Sequence, residues 1–342
     1  MKRALKSHLR DSIAKTLMAA GTTAPRRALR GRFPIVTFHR VLSEAERRDY
    51  ALAGLAVTPE ELCWFLEFFG ESYDCTTLRD AIRRWDEEPE AERPALAVTF
   101  DDGQVDNWDH ARPVLDRLGM KASFFVPVEG VEDGDPLWHD RIARAVEHAA
   151  ALDPIGAAKL ARESGPAGVE CEADPHAMVI HAKGLDPEER RRFVEAWEGL
   201  AGRVPTPAWD GFMSWEQLRS LSDAGHEIGS HSMSHEILPL CSVEEIRHEV
   251  GESRRILESR LDTTVESFCY PNGDCDPRCV DAVREAGYRQ AVTTAWGANR
   301  KDDSRFRLQR FDMTSEHSRD TRGNLSAARV AWRISGMHPG LR

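Results

Sequence analysis

The chain has 342 residues, 41% of them hydrophobic and 30% charged, an ordinary globular composition that excludes collagen-like, mucin-like and wholly disordered chains. That length, about twice a prior of roughly 150 residues per domain, allows two modest domains or one large α/β barrel with an insertion. The net charge of −11 hides a split: residues 1–32 carry nine Lys and Arg against one acid, Asp11, and sum to +8, leaving −19 for the remainder. So acidic a body argues against a nucleic-acid partner.

No window reaches about 18 consecutive apolar residues, so no membrane-spanning helix is expected. Arg10, Asp11 and Lys15 break every apolar run that could serve an export signal. Leu5, Leu9, Ile13 and Leu17 instead recur every four residues, with Lys2, Lys6, Arg10 and Lys15 elsewhere around the helix. A basic amphipathic helix of this kind has two readings: residues 1–20 make peripheral contact with an anionic membrane surface, or the helix caps the barrel or frays as a tail.

Beyond Gly31, β-rich runs alternate with capped helical stretches. Phe33–His39 reads as a strand. Thr58-Pro59-Glu60-Glu61 is a capping box with Pro at the first helical position, opening a helix through Phe69. Ala95–Phe100 is a buried strand, followed by a helix from about Asp106 to Leu118 that Gly119 ends. Lys121–Val126 is the next strand. Residues 137–211, rich in Ala, Glu and Arg, break the rhythm. They read as a mainly helical insertion over the strand ends, with a helix at Pro187–Leu200 and one strand, Met178–His181. The βα alternation then resumes with strands His226–Ser230, Ser267–Tyr270, Gln290–Thr294 and Leu308–Phe311. Capping boxes at Ser214/Gln217 and Ser242/Glu245 and an Asp276-Pro277 start mark its helices. The organisation expected is a basic segment 1–32, an α/β barrel from 33–136 and 212–314, the insertion, and a tail, 315–342.

Seven cysteines, an odd number with no CxxC, do not form a disulfide framework. Cys269, Cys275 and Cys279 cluster without matching a zinc-ribbon or iron–sulfur spacing. Reduced thiols in a cytoplasmic setting are the simplest account.

Three strand ends carry candidate chemistry. In Thr99-Phe100-Asp101-Asp102-Gly103, two adjacent acids leave a hydrophobic strand, a costly crowding unless a cation or proton takes up the charge; the alternative is that they cap the next helix. In His231-Ser232-Met233-Ser234-His235, two imidazoles four positions apart meet on one face of a helical turn, as paired metal ligands do, or they are two surface histidines. Phe268-Cys269-Tyr270-Pro271-Asn272-Gly273 ends a third strand in a tight turn.

Together these resemble the motifs of the polysaccharide deacetylase family, the NodB homology domain or carbohydrate esterase family four. TFDDG matches the first motif, HSMSH the H-[ST]-x-x-H second motif, and CYPNG occupies the place of the R-x-P-[YF] third motif, over roughly residues 33–311. The resemblance implies a distorted (β/α) barrel of about seven strands and metal-dependent hydrolysis of N-acetyl groups from the amino sugars of a glycan or lipid-linked saccharide. By position, Asp102, His231 and His235 would be metal ligands, Asp101 the general base, and the Asn272 backbone an oxyanion donor beside Tyr270. The cation would be divalent: zinc, with cobalt, nickel or manganese also compatible with such ligands.

Two departures stand out. Cys269 replaces the third-motif Arg, and no late Leu-x-His motif supplies the acid. His39, in Val36-Thr37-Phe38-His39-Arg40-Val41, is similar to the YHxV motif of the subgroup that deacetylates biofilm poly-N-acetylglucosamine, where this early His is the acid. Trp138, in Pro136-Leu137-Trp138-His139-Asp140, is a candidate sugar platform, and Arg307 or Arg310 a candidate partner for Asp101 or for an anionic substrate group. Two other readings remain: a C–N hydrolase of a small amide on the same barrel, and a carbohydrate-binding homologue without turnover.

Overall fold

Short runs of Val, Ile, Phe and Thr form parallel strands because alternate side chains can be buried on both faces. The computed structural model describes residues 2–164 and 173–338, residues 2–6 as backbone only. In it the strands β1 (Ile35–Phe38), β2 (Ala95–Phe100), β3 (Ser123–Val126), β4 (Glu227–Ser230), β5 (Ser267–Cys269), β6 (Gln290–Trp296) and β7 (Leu308–Asp312) each pair in parallel with the next. Val36 lies opposite Phe311, so β7 returns to β1 and closes a seven-stranded barrel. A further short strand, Asp74–Thr76, pairs with the first half of β2.

Period-two alternation divides the apolar residues between two layers. Ile35, Ala97, Phe125, Cys269, Val292 and Leu308 fill the barrel. Val36, Phe38, Val98, Phe100, Phe124 and Phe268 face outward to the helices Pro59–Ser72, Arg112–Leu118, Trp215–Asp223, Val243–Leu261 and Pro277–Glu285. Phe125 and Gly229 fit as a pair, since a Cβ on Gly229 would lie 2.6 Å from the Phe125 ring. The boxes at Thr58, Ser214 and Ser242 each close in both directions, as do unforeseen ones at Ser43 and Asp186.

The insertion supplies the helices Trp138–Leu152, Pro154–Ser164, Pro175–Ala182 and Pro187–Ala201. Met178–His181 is helical, not a strand: Asp174 caps the Ala177 N–H at 2.7 Å, Pro175 starts the helix, and Met178, Val179 and Ala182 share its buried side. Four apolar residues in a row do not distinguish the two structures by period. Cys171 lies outside the described residues; the other six cysteines are unpaired. Residues 315–338 also differ from a loose tail. Ala327–Ile334 is a helix whose Val330 and Ile334 join the main core, and the Lys2–Ala19 helix packs on it. No described helix is long and apolar enough to cross a membrane.

Candidate active site and metal centre

β2 ends with Phe100 facing outward, so the next residue faces the barrel mouth. There Asp101 is 2% exposed and Asp102 4%. The chain turns at once through Asp102 (φ 71°) and Gly103 (φ 63°). Ser232 (φ 69°), His235 (φ 62°) and Asn272 (φ 58°) are also left-handed, so four of the five non-glycine residues of this kind among the described residues lie in the three strand-end motifs. Such backbone costs about 1–3 kcal/mol per residue and persists where surrounding contacts over-determine it.

Those contacts are present. Ser232 Oγ accepts the His235 N–H at 3.0 Å. Glu249, from the Val243–Leu261 helix, accepts from the N–H groups of Met233 (2.9 Å) and Ser234 (3.0 Å) and from Ser234 Oγ (2.6 Å). The turn between the two histidines is thereby fixed. His231 Nε2 and His235 Nε2 each lie 3.4 Å from Asp102 Oδ1. His231 Nδ1 donates to the Cys269 carbonyl at 2.8 Å, which leaves Nε2 as the nitrogen facing Asp102.

Burial alone would raise the Asp102 carboxyl, but hydrogen bonds from the two histidines hold it well below the usual range. Burial, reinforced by repulsion from His231, pushes His235 down to about 4 despite the attraction of Asp102, favouring the neutral imidazole that ligates cations, whereas His231, despite its burial, is carried well above the ordinary value by Cys269 and the Asp102 hydrogen bond. Three ligand atoms of Asp102, His231 and His235, all buried, lie within 4.8 Å of one another. One carboxylate and two oriented imidazoles fit a divalent cation. Asp101, His231 and Cys269 form an overlapping group, but a guanidinium already occupies the first and last of these.

That guanidinium belongs to Arg310. Its Nη1 and Nη2 each donate to Asp101 at 2.7 Å, Nη2 lies 3.3 Å from Cys269 Sγ, and Nε donates to the Thr293 carbonyl at 2.8 Å. The basic partner absent from position 269 therefore enters from β7. Burial would raise the Asp101 carboxyl, yet the Arg310 charge and hydrogen bonds bring it below the ordinary value. His39 Nε2 lies 3.8 Å from Asp101 Oδ2, and its side chain is 20% exposed, more open than any metal-ligand candidate. Asn107 Nδ2 donates to the His39 carbonyl and Asp106 accepts the Val41 N–H, which holds this strand end.

Two candidate substrate contacts point elsewhere. Tyr270 follows inward-facing Cys269, so alternation turns it outward; it is fully buried in the outer core and its hydroxyl donates to the Phe306 carbonyl at 3.0 Å. Trp138 is 8% exposed, under the Arg190 guanidinium, and offers no open face for a sugar. Its indole N–H donates to the His235 carbonyl at 3.0 Å, so it braces a ligand. Asn272 stands at the rim, with its amide on Asp274. Arg307, unlike Arg310, has no contact with Asp101 among the described residues.

His139 and Asp140, which follow Trp138 in the motif that opens the insertion, also reach the centre. The His139 ring centroid lies 5.3 Å from that of His235, and its Nε2 is 3.5 Å from Asp140 Oδ2. Asp140 Oδ1 accepts the Tyr50 hydroxyl at 2.8 Å. The first turn of the insertion thus touches the metal group. A cavity of about 350 Å³, lined by Tyr50, Asp140, Arg144, Trp209 and Asp210, adjoins this turn without including the metal ligands.

A profile of the family described as polysaccharide deacetylase matches residues 88–178 and 180–291, more than half of the chain. YxkH of Bacillus subtilis (strain 168) is 19% identical over 242 residues, 71% of this chain; the match spans only 60% of that relative's length. Among solved structures, the Streptococcus pyogenes deacetylase PplD, in complex with acetate, superposes with a TM-score of 0.57 at 17% identity, covering 89% of this chain and 98% of that one. IcaB from Ammonifex degensii gives 0.55 at 16% identity, covering 88% and 96%. At these identities the structural likeness speaks for the seven-stranded barrel alone.

Proposed function

Because the chain belongs to the polysaccharide deacetylase family, we propose that it is a divalent-metal-dependent hydrolase that removes N-acetyl groups from the amino sugars of a glycan or lipid-linked saccharide. The observation that carries this reading is the buried Asp102, His231 and His235 group lying directly beside Asp101, which is paired with Arg310.

Asp102, His231 and His235 would hold the cation, and we take zinc as the first metal to test. When bound, it would polarise the amide carbonyl and lower the pKa of an attacking water. Asp101, locked by two hydrogen bonds from Arg310, is placed to accept that water's proton. The pair leaves the carboxylate little freedom to rotate, and it keeps the base charged in a site that would otherwise neutralise it. His39, on the open side of Asp101, gives a proton to the departing amine, so the C–N bond breaks to acetate and a free amino sugar. The backbone N–H of Asn272, in a left-handed turn where the Gly273 N–H is already donated to the Tyr270 carbonyl, is the one we assign to the oxyanion. We place the enzyme in a reducing, cytoplasmic setting, a reading with which the six unpaired cysteines among the described residues agree.

One observation favours the small-amide reading: the residue proposed as the sugar platform, Trp138, is buried. Acetate release from N-acetylated chito-oligosaccharides, compared with N-acetylglucosamine and simple acetamides, separates the two. Preference for the oligosaccharide supports the proposal; turnover confined to small amides overturns its substrate class.

A further inference from the structure

The Lys2–Ala19 helix docks with the opposite side from the one its leucines suggest. Residues 5, 9, 13 and 17 lie along one arc by helical spacing. The side buried against the Ala327–Ile334 helix is instead the arc of Ser7, Asp11 and Ala14. Arg329 donates through Nε to Asp11 Oδ1 and through Nη2 to the Ser7 carbonyl (3.0 Å) and Ser7 Oγ (2.8 Å). The Thr321 N–H donates to Asp11 Oδ2 at 2.9 Å. Ala14 is fully buried against Ala328 and Trp332, with Leu17 at the edge of that contact.

This leaves Leu9 60% and Ile13 37% exposed on the outer arc. His8, Ser12, Lys15 and Thr16 are exposed around them, and Arg26, Arg27 and Arg30 are exposed in the segment that follows. Burying Leu and Ile is the ordinary use of an amphipathic helix. Here an ion pair and an alanine, with Leu17 at their edge, make the docking contact, and Leu9 and Ile13 face solvent.

We propose that this outer face seats on an anionic phospholipid surface. Apolar side chains with Lys15 beside them, followed by a segment that exposes Arg27 and the glutamate-paired Arg26 and Arg30, match the boundary between acyl chains and negative headgroups. The +8 of residues 1–32 against −19 for the rest gives the orientation, since the surface attracts this segment and repels the catalytic body. A second copy is a poorer occupant: two protruding side chains fall far short of the roughly 800 Å² per partner of a stable interface.

The test is flotation of the full-length protein with phosphatidylglycerol–phosphatidylcholine vesicles and with phosphatidylcholine alone. The expected result is a bound fraction about tenfold higher on the anionic vesicles, falling with added salt. The double substitution Leu9→Asn with Ile13→Asn, outside the docking contact, should reduce binding about tenfold, and Lys15→Glu with Arg27→Glu should do likewise. Unchanged circular dichroism shows that the variants fold. Absence of binding to the anionic vesicles, or equal binding by the folded Leu9/Ile13 variant, overturns the proposal. So does a concentration-dependent dimer that the same variant abolishes, which would make the face a self-association surface. None of these outcomes depends on catalysis.

Discussion

The carboxylate of Asp101 and the guanidinium of Arg310 work as one unit drawn from opposite ends of the barrel sequence. Replacing Arg310 with Met should lower kcat about 10²-fold with metal content unchanged, because an unpaired buried carboxylate is costly to keep charged. The sign of the pH effect follows. A base held below the ordinary carboxylate value is ionised, and active, down to acid pH; without Arg310, burial raises Asp101 and the acid limb of the kcat profile moves to higher pH. Cys269 Sγ lies 3.3 Å from Arg310 Nη2, so Cys269→Arg in the Arg310→Met background should restore part of the activity and move the limb back. Steady-state kinetics across pH checks all three. His39→Ala should lower turnover about 10²- to 10⁴-fold with metal content retained; unchanged turnover would remove His39 from the reaction. Asp101, Asp102, His231 and His235 were legible because each motif is contiguous and ends a strand. Of the two arginines flagged near the last strand, only the fold distinguishes Arg310 from Arg307. Tyr270 and Trp138 were misplaced because strand alternation and helix packing, not residue type, decide where those side chains point.

Among the elements, the histidine turn depends on a helix that carries no ligand. Glu249→Gln, which weakens the acceptor for two backbone N–H groups and a hydroxyl, should lower metal affinity about 10- to 100-fold; competition with a chromophoric chelator measures it. The docking of the first helix should be acid-sensitive. Burial would raise the Asp11 carboxyl, but hydrogen bonds from Thr321 and Arg329 bring it below the ordinary carboxylate value. Its contribution is therefore complete above the unfolded value and is lost as pH falls through the folded one. Hydrogen exchange should show the helix opening in acid before the barrel strands do, and Asp11→Asn should weaken protection already at neutral pH. Strands and capped helices were largely legible, since period and caps are local. Met178–His181 was not, because four apolar residues suit either structure and the deciding Asp174 cap lies outside them. The docking side of the first helix was hidden for a related reason: Arg329 sits over 300 residues away.

For the whole molecule, the length resolves into one closed barrel with helical additions over its mouth and at its ends. The cation site draws on β2 and the turn after β4, with Cys269 of β5 orienting one ligand, so loading with zinc should raise the melting temperature and chelation should lower it. The charge split also gains a location: the basic segment is a helix fixed to the last helix, beside an acidic barrel. The most direct measurement is acetate release from N-acetylated chito-oligosaccharides by the wild-type protein and Asp101→Asn, each loaded with zinc and matched for bound metal. The account predicts release by the wild type and a loss of about 10²- to 10⁴-fold in the variant at equal metal content. Metal bound by the wild type with no amide hydrolysed, or equal rates for the two proteins, would contradict it.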